Sequence, residues 1–177
     1  VTGAILKLIP KPEAKWTVLA AYSNEEKALL AVRELLNERI QPSILEFLDG
    51  SSVRCAERST GVSLFPKQRG MPLLLVEIDG PRGKVKMDKA RVLDWTKRTS
   101  LAYQEARTEA AAEKLWQVRR KCSGAMFEMG DSKLNEDVVV PLRRQVDFYR
   151  FIEKLQIQSG LSTPTFGHAV DGNFHVN

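Results

Sequence analysis

Short strand-like runs alternate with amphipathic stretches along most of this 177-residue chain, and no Gly-rich phosphate loop joins a strand to the helix after it. That combination argues against a nucleotide-binding parallel sheet and for an antiparallel α+β sandwich. Val1 to Ile9 alternates apolar residues as far as Pro10-Lys11-Pro12 and reads as a first strand. Trp16 to Tyr22, Ile44 to Leu48, Met71 to Ile78 and Leu101 to Arg107 read as further strands. Helices are expected from a Ser23/Glu26 capping box to about Glu38, over a short stretch holding Cys55 and capped by Ser51 or Ser52, and from about Lys84 to Thr99.

The clearest helix is Glu109 to Cys122, where Ala111, Leu115, Val118 and Cys122 recur as one apolar stripe. Arg119 lies about 100° around from Val118, on the flank of that stripe. Such a guanidinium either reaches into a pocket beside the helix or snorkels to solvent. Gly124 to Gly130 reads as a flexible connection, and Lys133 to Pro141 as a polar lead into a β-branched strand. A last helix runs from Arg143 to about Ser159, burying Phe148, Phe151, Ile152 and Leu155 at amphipathic spacing and ending at Gly160.

Hydrophobic residues at 43% and charged residues at 28% suit one folded domain with a real core. The net charge of +5 is small beside 27 basic and 22 acidic residues, and aromatic and basic residues do not interleave. Nucleic acid is therefore disfavoured as a partner, and local basic groups suit small anions better. Cys55 and Cys122 belong to no CxxC pair and are expected as small buried residues. There is no apolar run of transmembrane length and no signal-peptide layout, so the expected setting is reduced and cytoplasmic. A start without methionine and a stop at Asn177 in mid-strand read as a piece of a longer polypeptide.

Both histidines fall within the last eleven residues, Gly167 to Asn177. Asp171-Gly172 predicts a two-residue type I′ hairpin turn, which sets Val170 opposite Asn173, Ala169 opposite Phe174 and His168 opposite His175. Opposed Cβ atoms lie about 5 Å apart, so both imidazoles share one face, with Asn173 and Asn177, while Phe174 and Val176 share the other. Two readings stand at this point: the imidazoles chelate one ion, or they form a hydrogen-bonded cross-strand pair. Two ligands fall short of the three or four a metal site uses.

Asn135-Glu136-Asp137-Val138-Val139-Val140-Pro141, followed by Gly167-His168-Ala169-Val170-Asp171-Gly172-Asn173-Phe174-His175, resembles the C-terminal cap domain of FAD-linked oxidoreductases of the vanillyl-alcohol oxidase type. The resemblance is to the group of the glycolate oxidase flavoprotein subunit, D-lactate dehydrogenases and D-2-hydroxyglutarate dehydrogenase. Lys7-Leu8-Ile9-Pro10-Lys11-Pro12 and Leu45-Glu46-Phe47-Leu48-Asp49 extend it over nearly the whole chain, and Val170 departs from it where the family usually has glycine.

The resemblance implies one ferredoxin-like cap (substrate) domain over 1–177, α+β, with an antiparallel sheet and helices packed on one face. The FAD-binding domain and the extreme C-terminus would lie outside the chain, and the isolated piece would be inactive. It further implies oxidation of a small 2-hydroxy acid to a 2-oxo acid, with electrons passing to FAD and on to an electron-acceptor subunit. Peripheral membrane association would come only through partner subunits. His168 and His175 match catalytic metal-ligand histidines for a divalent ion such as Zn2+ or Mn2+, and Arg119 and Asn177 match substrate-binding positions. The alternative is a non-catalytic ferredoxin-like binding module in which the histidine pair is structural and Arg119 is solvated.

Overall fold

A computed structural model describes residues 2–128 and 132–177. In chain order the elements are β1 (Ala14–Ala21), α1 (Glu25–Asn37), β2 (Ile44–Leu48), α2 (Gly50–Thr60), β3 (Leu73–Gly80), α3 (Arg82–Thr99) and β4 (Ala102–Glu105). They continue with α4 (Glu109–Ala125), β5 (Glu136–Val139), α5 (Gln145–Ser159), β6 (Thr165–His168) and β7 (Asn173–Val176). The described strands form one seven-stranded sheet in the order β4-β1-β3-β2-β6-β7-β5, with every pairing antiparallel.

The first four strands, with α1 and α3, have the order and connections of a ferredoxin-like unit, and α2 is inserted between β2 and β3. β6, β7 and β5 extend that sheet beyond β2. The α+β class and the antiparallel sheet are thus as expected.

The packing of helices differs from expectation, because they cover both faces. On one face Val18, Leu45, Phe47, Leu74 and Val76 pack with Val32 and Leu35 of α1, Trp95 of α3 and Tyr149 of α5. On the other, Leu19, Leu48, Leu73 and Leu75 pack with Val53 of α2 and with Leu115, Val118 and Cys122 of α4. The physical reason lies in β1 and β3, whose successive residues are all apolar through Val18–Ala21 and Leu73–Val76. A central strand of that composition needs cover on both sides.

Three local expectations are also corrected. Val1 lies outside the described residues, and residues 2–9 form no strand: Ile5, Leu6, Leu8 and Ile9 are exposed, without the neighbouring ladder that a strand requires. α4 continues through Ala125 into a 3-10 turn at Met126–Glu128, so the connection expected from Gly124 begins as helix; Met129 and Gly130 lie outside the described residues. α5 turns Gln145, Tyr149 and Ile152 inward and leaves Phe151 60% exposed and Leu155 39% exposed. Its rotation is held by the Tyr149 hydroxyl donating to Asp49 Oδ2 at 3.2 Å and by Gln145 Nε2 donating to the Ala169 carbonyl at 3.0 Å.

The helix caps also sit one to three residues from where they were expected. Asn24, not Ser23, accepts from the Lys27 amide at 2.9 Å, and Asp49 accepts from the Ser52 amide at 2.7 Å. Asp49 is wholly buried, and desolvation raises its carboxyl to about 6 despite the Ser52 contacts. Among the described residues no helix is long and apolar enough to cross a membrane.

Candidate active-site face

The second half of the sheet is covered differently. On the face shared with α1, α3 and α5, Phe174 of β7 packs against Phe47 and Phe148 at ring separations of 5.9 and 5.5 Å. The opposite face carries Glu46 from β2, Phe166 and His168 from β6, Asn173 and His175 from β7, and Asp137 from β5, by the alternation of each strand. α4 reaches the edge of this face and contributes Arg119.

The turn between β6 and β7 is not the two-residue type I′ turn that Asp171-Gly172 predicts. It spans Ala169 to Gly172, so His168 stands opposite Asn173 and His175 opposite Phe166. A type I′ turn needs positive φ at both central residues, and here Gly172 has φ +74 whereas Asp171 does not have positive φ. Three contacts hold the wider turn: the Ala169 amide donates to the Leu45 carbonyl at 2.8 Å, the Val140 amide to the Gly172 carbonyl at 2.9 Å, and Gln145 to Ala169. The register moves by two residues, which preserves faces. The two imidazoles therefore remain neighbours, on a diagonal, with centroids 5.7 Å apart at 81°.

Each histidine is paired through Nδ1 with a carboxylate. His168 Nδ1 lies 2.5 Å from Glu46 Oε1, and His175 Nδ1 lies 2.6 Å from Asp137 Oδ1. An ionised carboxylate only accepts, so each Nδ1 carries the hydrogen, and Nε2 is the ring nitrogen left without a partner among the described residues. The imidazole at its side holds the Asp137 carboxyl below the usual carboxylate range.

Glu46 has a second partner, since Arg119 Nε donates to its Oε2 at 2.5 Å. Glu46 is 3% exposed, so this is a buried carboxylate shared between a guanidinium and an imidazole. The Arg119 guanidinium carbon sits 4.5 Å above the Phe166 ring, and that ring lies 5.1 Å from His175. Arg119, Glu46, His168, His175, Asp137 and Phe166 thus form one contiguous cluster. Arg119 is turned inward by these contacts and does not snorkel.

Asn177 joins the hairpin end. Its Nδ2 donates to the carbonyls of Pro164 and His175 at 3.2 and 3.1 Å, and its Oδ1 is buried without a partner among the described residues. Sequence reasoning missed Glu46, Asp137 and Phe166 as members of the site. Glu46 did leave a signal, as the one acid inside the apolar run Ile44–Leu48. Asp137 left none, because its pairing depends on the β5–β7 register.

The donor set decides how far a metal fits. Imidazoles whose Nδ1 is anchored on carboxylates are oriented as metal-ligating histidines usually are. Yet among the described residues no three His, Cys, Asp or Glu side chains are grouped so as to hold an ion. The expected Zn2+ or Mn2+ centre at His168 and His175 is not completed by the described residues: Glu46 and Asp137 are engaged at the Nδ1 atoms, and the two Nε2 atoms supply two of the three or four ligands such a site uses. A cleft of about 560 Å³ lies elsewhere, at the N-terminal end of α4 beside Trp16, Thr17 and Glu77. Its buried Glu77 accepts from Thr17 at 2.7 Å and from Trp116 at 3.2 Å, both at Oε2.

The same architecture occurs in solved oxidoreductase structures. p-Cresol methylhydroxylase with substrate bound superposes with a TM-score of 0.66 at 11% identity, over 95% of this chain and 39% of that one. 4-Ethylphenol oxidase from Gulosibacter chungangensis gives 0.64 at 13%, over 97% and 40%. At such identities the likeness is one of fold alone, and it defines the class: an α+β domain of the kind these larger enzymes carry.

Sequence narrows the class to a family. Residues 11–177 match the FAD linked oxidases, C-terminal domain, and the chain belongs to that family. It is 34% identical over 176 residues to glycolate oxidase subunit GlcD of Bacillus subtilis, covering 99% of this chain and 37% of that protein. Against GlcD of Escherichia coli K12 the figures are 31% over 175 residues, 98% and 35%. Against D-lactate dehydrogenase of Anaerostipes hadrus they are 28% over 192 residues, 99% and 38%. The chain spans little more than a third of the length of these relatives.

Proposed function

We propose that this chain, 1–177, is the substrate-facing domain of an FAD-dependent dehydrogenase or oxidase that converts a 2-hydroxy acid of the glycolate or D-lactate type to the 2-oxo acid. The observation that supports it is the convergence of Arg119, His168 and His175 on one open face, in a family whose relatives are named for glycolate and D-lactate. The terminal nitrogens of Arg119 have no hydrogen-bond partner among the described residues and present a planar fork to a carboxylate. His168 Nε2 accepts the proton of the substrate hydroxyl as the C2–H bond breaks, and the Glu46 carboxylate stabilises the imidazolium that results. His175 stands edge-to-face against His168 and limits where the hydroxyl oxygen can sit. Asn177, held at the hairpin end by Pro164 and by the His175 carbonyl, is the further polar side chain proposed to bound the substrate.

FAD, held mainly by a part of the protein outside this chain, supplies the acceptor for the hydrogen and electron pair that leave C2. No step is routed through a metal; with a further ligand from outside this chain, the Nε2 atoms of His168 and His175 would hold a divalent ion, which would polarise the substrate hydroxyl in place of proton transfer to His168. We further propose an electron-acceptor subunit as partner, in keeping with relatives named as subunits of glycolate oxidase. A non-catalytic module accounts for the fold but leaves the two anchored imidazoles and the free guanidinium fork without a purpose.

The test is His168→Ala in the full-length protein. Turnover of glycolate and D-lactate should be lost while FAD remains bound, as read from the flavin absorbance. Retained turnover would remove His168 from the chemistry.

A further inference from the structure

We infer that Glu46 is the positioning residue of this face, a single buried carboxylate that sets the substrate-binding guanidinium of Arg119 and the Nε2 edge of the His168 imidazole in one geometry. The inference rests on the reading above, in which Arg119 and His168 act on the same substrate. Its observation is the division of labour between the two oxygens: Oε2 takes Arg119 Nε and Oε1 takes His168 Nδ1, both at 2.5 Å.

Each contact uses the atom that chemistry can spare. Bound through Nε alone, the guanidinium keeps both terminal nitrogens for an end-on, bidentate hold on a carboxylate. Bound through Nδ1, the imidazole keeps Nε2 for the hydroxyl. A 2-hydroxy acid carries its carboxylate and hydroxyl on adjacent carbons, so the groups that read them must be held at one fixed separation. A shared carboxylate provides that separation. Two independent anchors on different loops would not.

The rest of the structure makes Glu46 rigid enough for this. It lies in the middle of β2, paired with Leu75 of β3 on one side and with His168 of β6 on the other. Its neighbours Leu45 and Phe47 point into the opposite core and are 2% and 0% exposed, so the backbone cannot shift without disturbing packing. Arg119 is further clamped over Phe166. His175 differs, because its partner Asp137 has a side chain 59% exposed at the edge strand β5, against 5% for Glu46. Of the two carboxylates, Glu46 therefore does the positioning, and Asp137 adjusts.

The decisive substitution is Glu46→Gln in the full-length protein, which keeps size and shape but leaves one acceptor oxygen for two donors. kcat/KM for glycolate or D-lactate should fall by roughly 10–100-fold, with KM rising as well as kcat falling because the Arg119 guanidinium and the His168 imidazole are both misplaced. Glu46→Asp, which restores both acceptors on a shorter arm, should recover part of that loss. An independent readout is 15N NMR of histidine-labelled full-length protein, with His168 assigned through His168→Ala. Glu46→Gln should abolish the Nδ1–H tautomer signature of His168 and leave that of His175 in place.

A Glu46→Gln protein with unchanged KM, kcat and His168 tautomer overturns the inference. So does a loss in kcat alone with KM intact, which would separate Arg119 from Glu46. If the wild-type protein turns over no 2-hydroxy acid, the functional reading fails, and the NMR arm still decides whether Glu46 orients His168.

Discussion

The two halves of the sheet solve different problems with the same strand geometry. In the central strands β1 and β3, the runs Val18–Ala21 and Leu73–Val76 are apolar on both faces, and helices cover both. In β6-β7-β5, one face packs into the core through Phe174, while the other carries His168, His175 and Asp137 and stays open enough to leave the His168 side chain 47% exposed. Stability is concentrated where alternation is lost, and the two histidines lie where it is kept, on strands that show one polar face from a rigid frame. β2 is the hinge between the two halves: Phe47 faces the core, Glu46 faces the site, and Asp49 follows as a buried cap.

The largest expected effect tests that junction. Phe47 is fully buried and meets Tyr149 and Phe174 edge-on at 5.8 and 5.9 Å, so it ties β2 to α5 and β7. Phe47→Ala should cost about 3–5 kcal/mol in denaturant unfolding. A loss under about 1 kcal/mol, the range of ordinary exposed positions, would break the contrast between the halves.

A smaller effect separates the two carboxylates that stand three residues apart on this hinge. Burial raises the Asp49 carboxyl to about 6 from an ordinary 3.8, so the folded state holds this proton more tightly than the unfolded one. The sign follows: the contribution is fully present below about pH 4 and is lost as pH rises through 6, a change on the order of 3 kcal/mol. Asp49→Asn keeps an N-cap acceptor and removes the titration. Between pH 4 and 7 the wild type should lose stability relative to this variant; parallel pH profiles would show that Asp49 is not the desolvated acid described here.

Much of the fold was legible because its signals are local. β2, β3, α1, α3 and α4 fall within a few residues of where hydrophobic period and breakers put them. The exceptions share a cause, which is tertiary contact overriding local preference. Residues 2–9 alternate like a strand but have no ladder to join. Asp171-Gly172 favours a tight turn, yet Leu45, Val140 and Gln145 draw the loop out to four residues, Ala169 to Gly172. Phe151 and Leu155 match a helical stripe, but Tyr149 and Gln145 set the rotation of α5.

At the site, the histidines and Arg119 were visible as residues, and their common face survived the change in register because that change was an even number of residues. Their anchors were not visible, since a carboxylate's partner across a sheet depends on strand order, and nothing in the sequence near Glu46 indicates that β6 lies beside β2.

The most direct test of the account is a crystal structure of the full-length flavoprotein with glycolate or D-lactate bound. The account predicts the substrate carboxylate end-on at the terminal nitrogens of Arg119 and the hydroxyl within hydrogen-bond reach of His168 Nε2, about 2.6–3.2 Å, with Glu46 still bridging Arg119 and His168. A substrate bound away from this face, or an Arg119 that leaves Glu46 to pair with solvent, would contradict it.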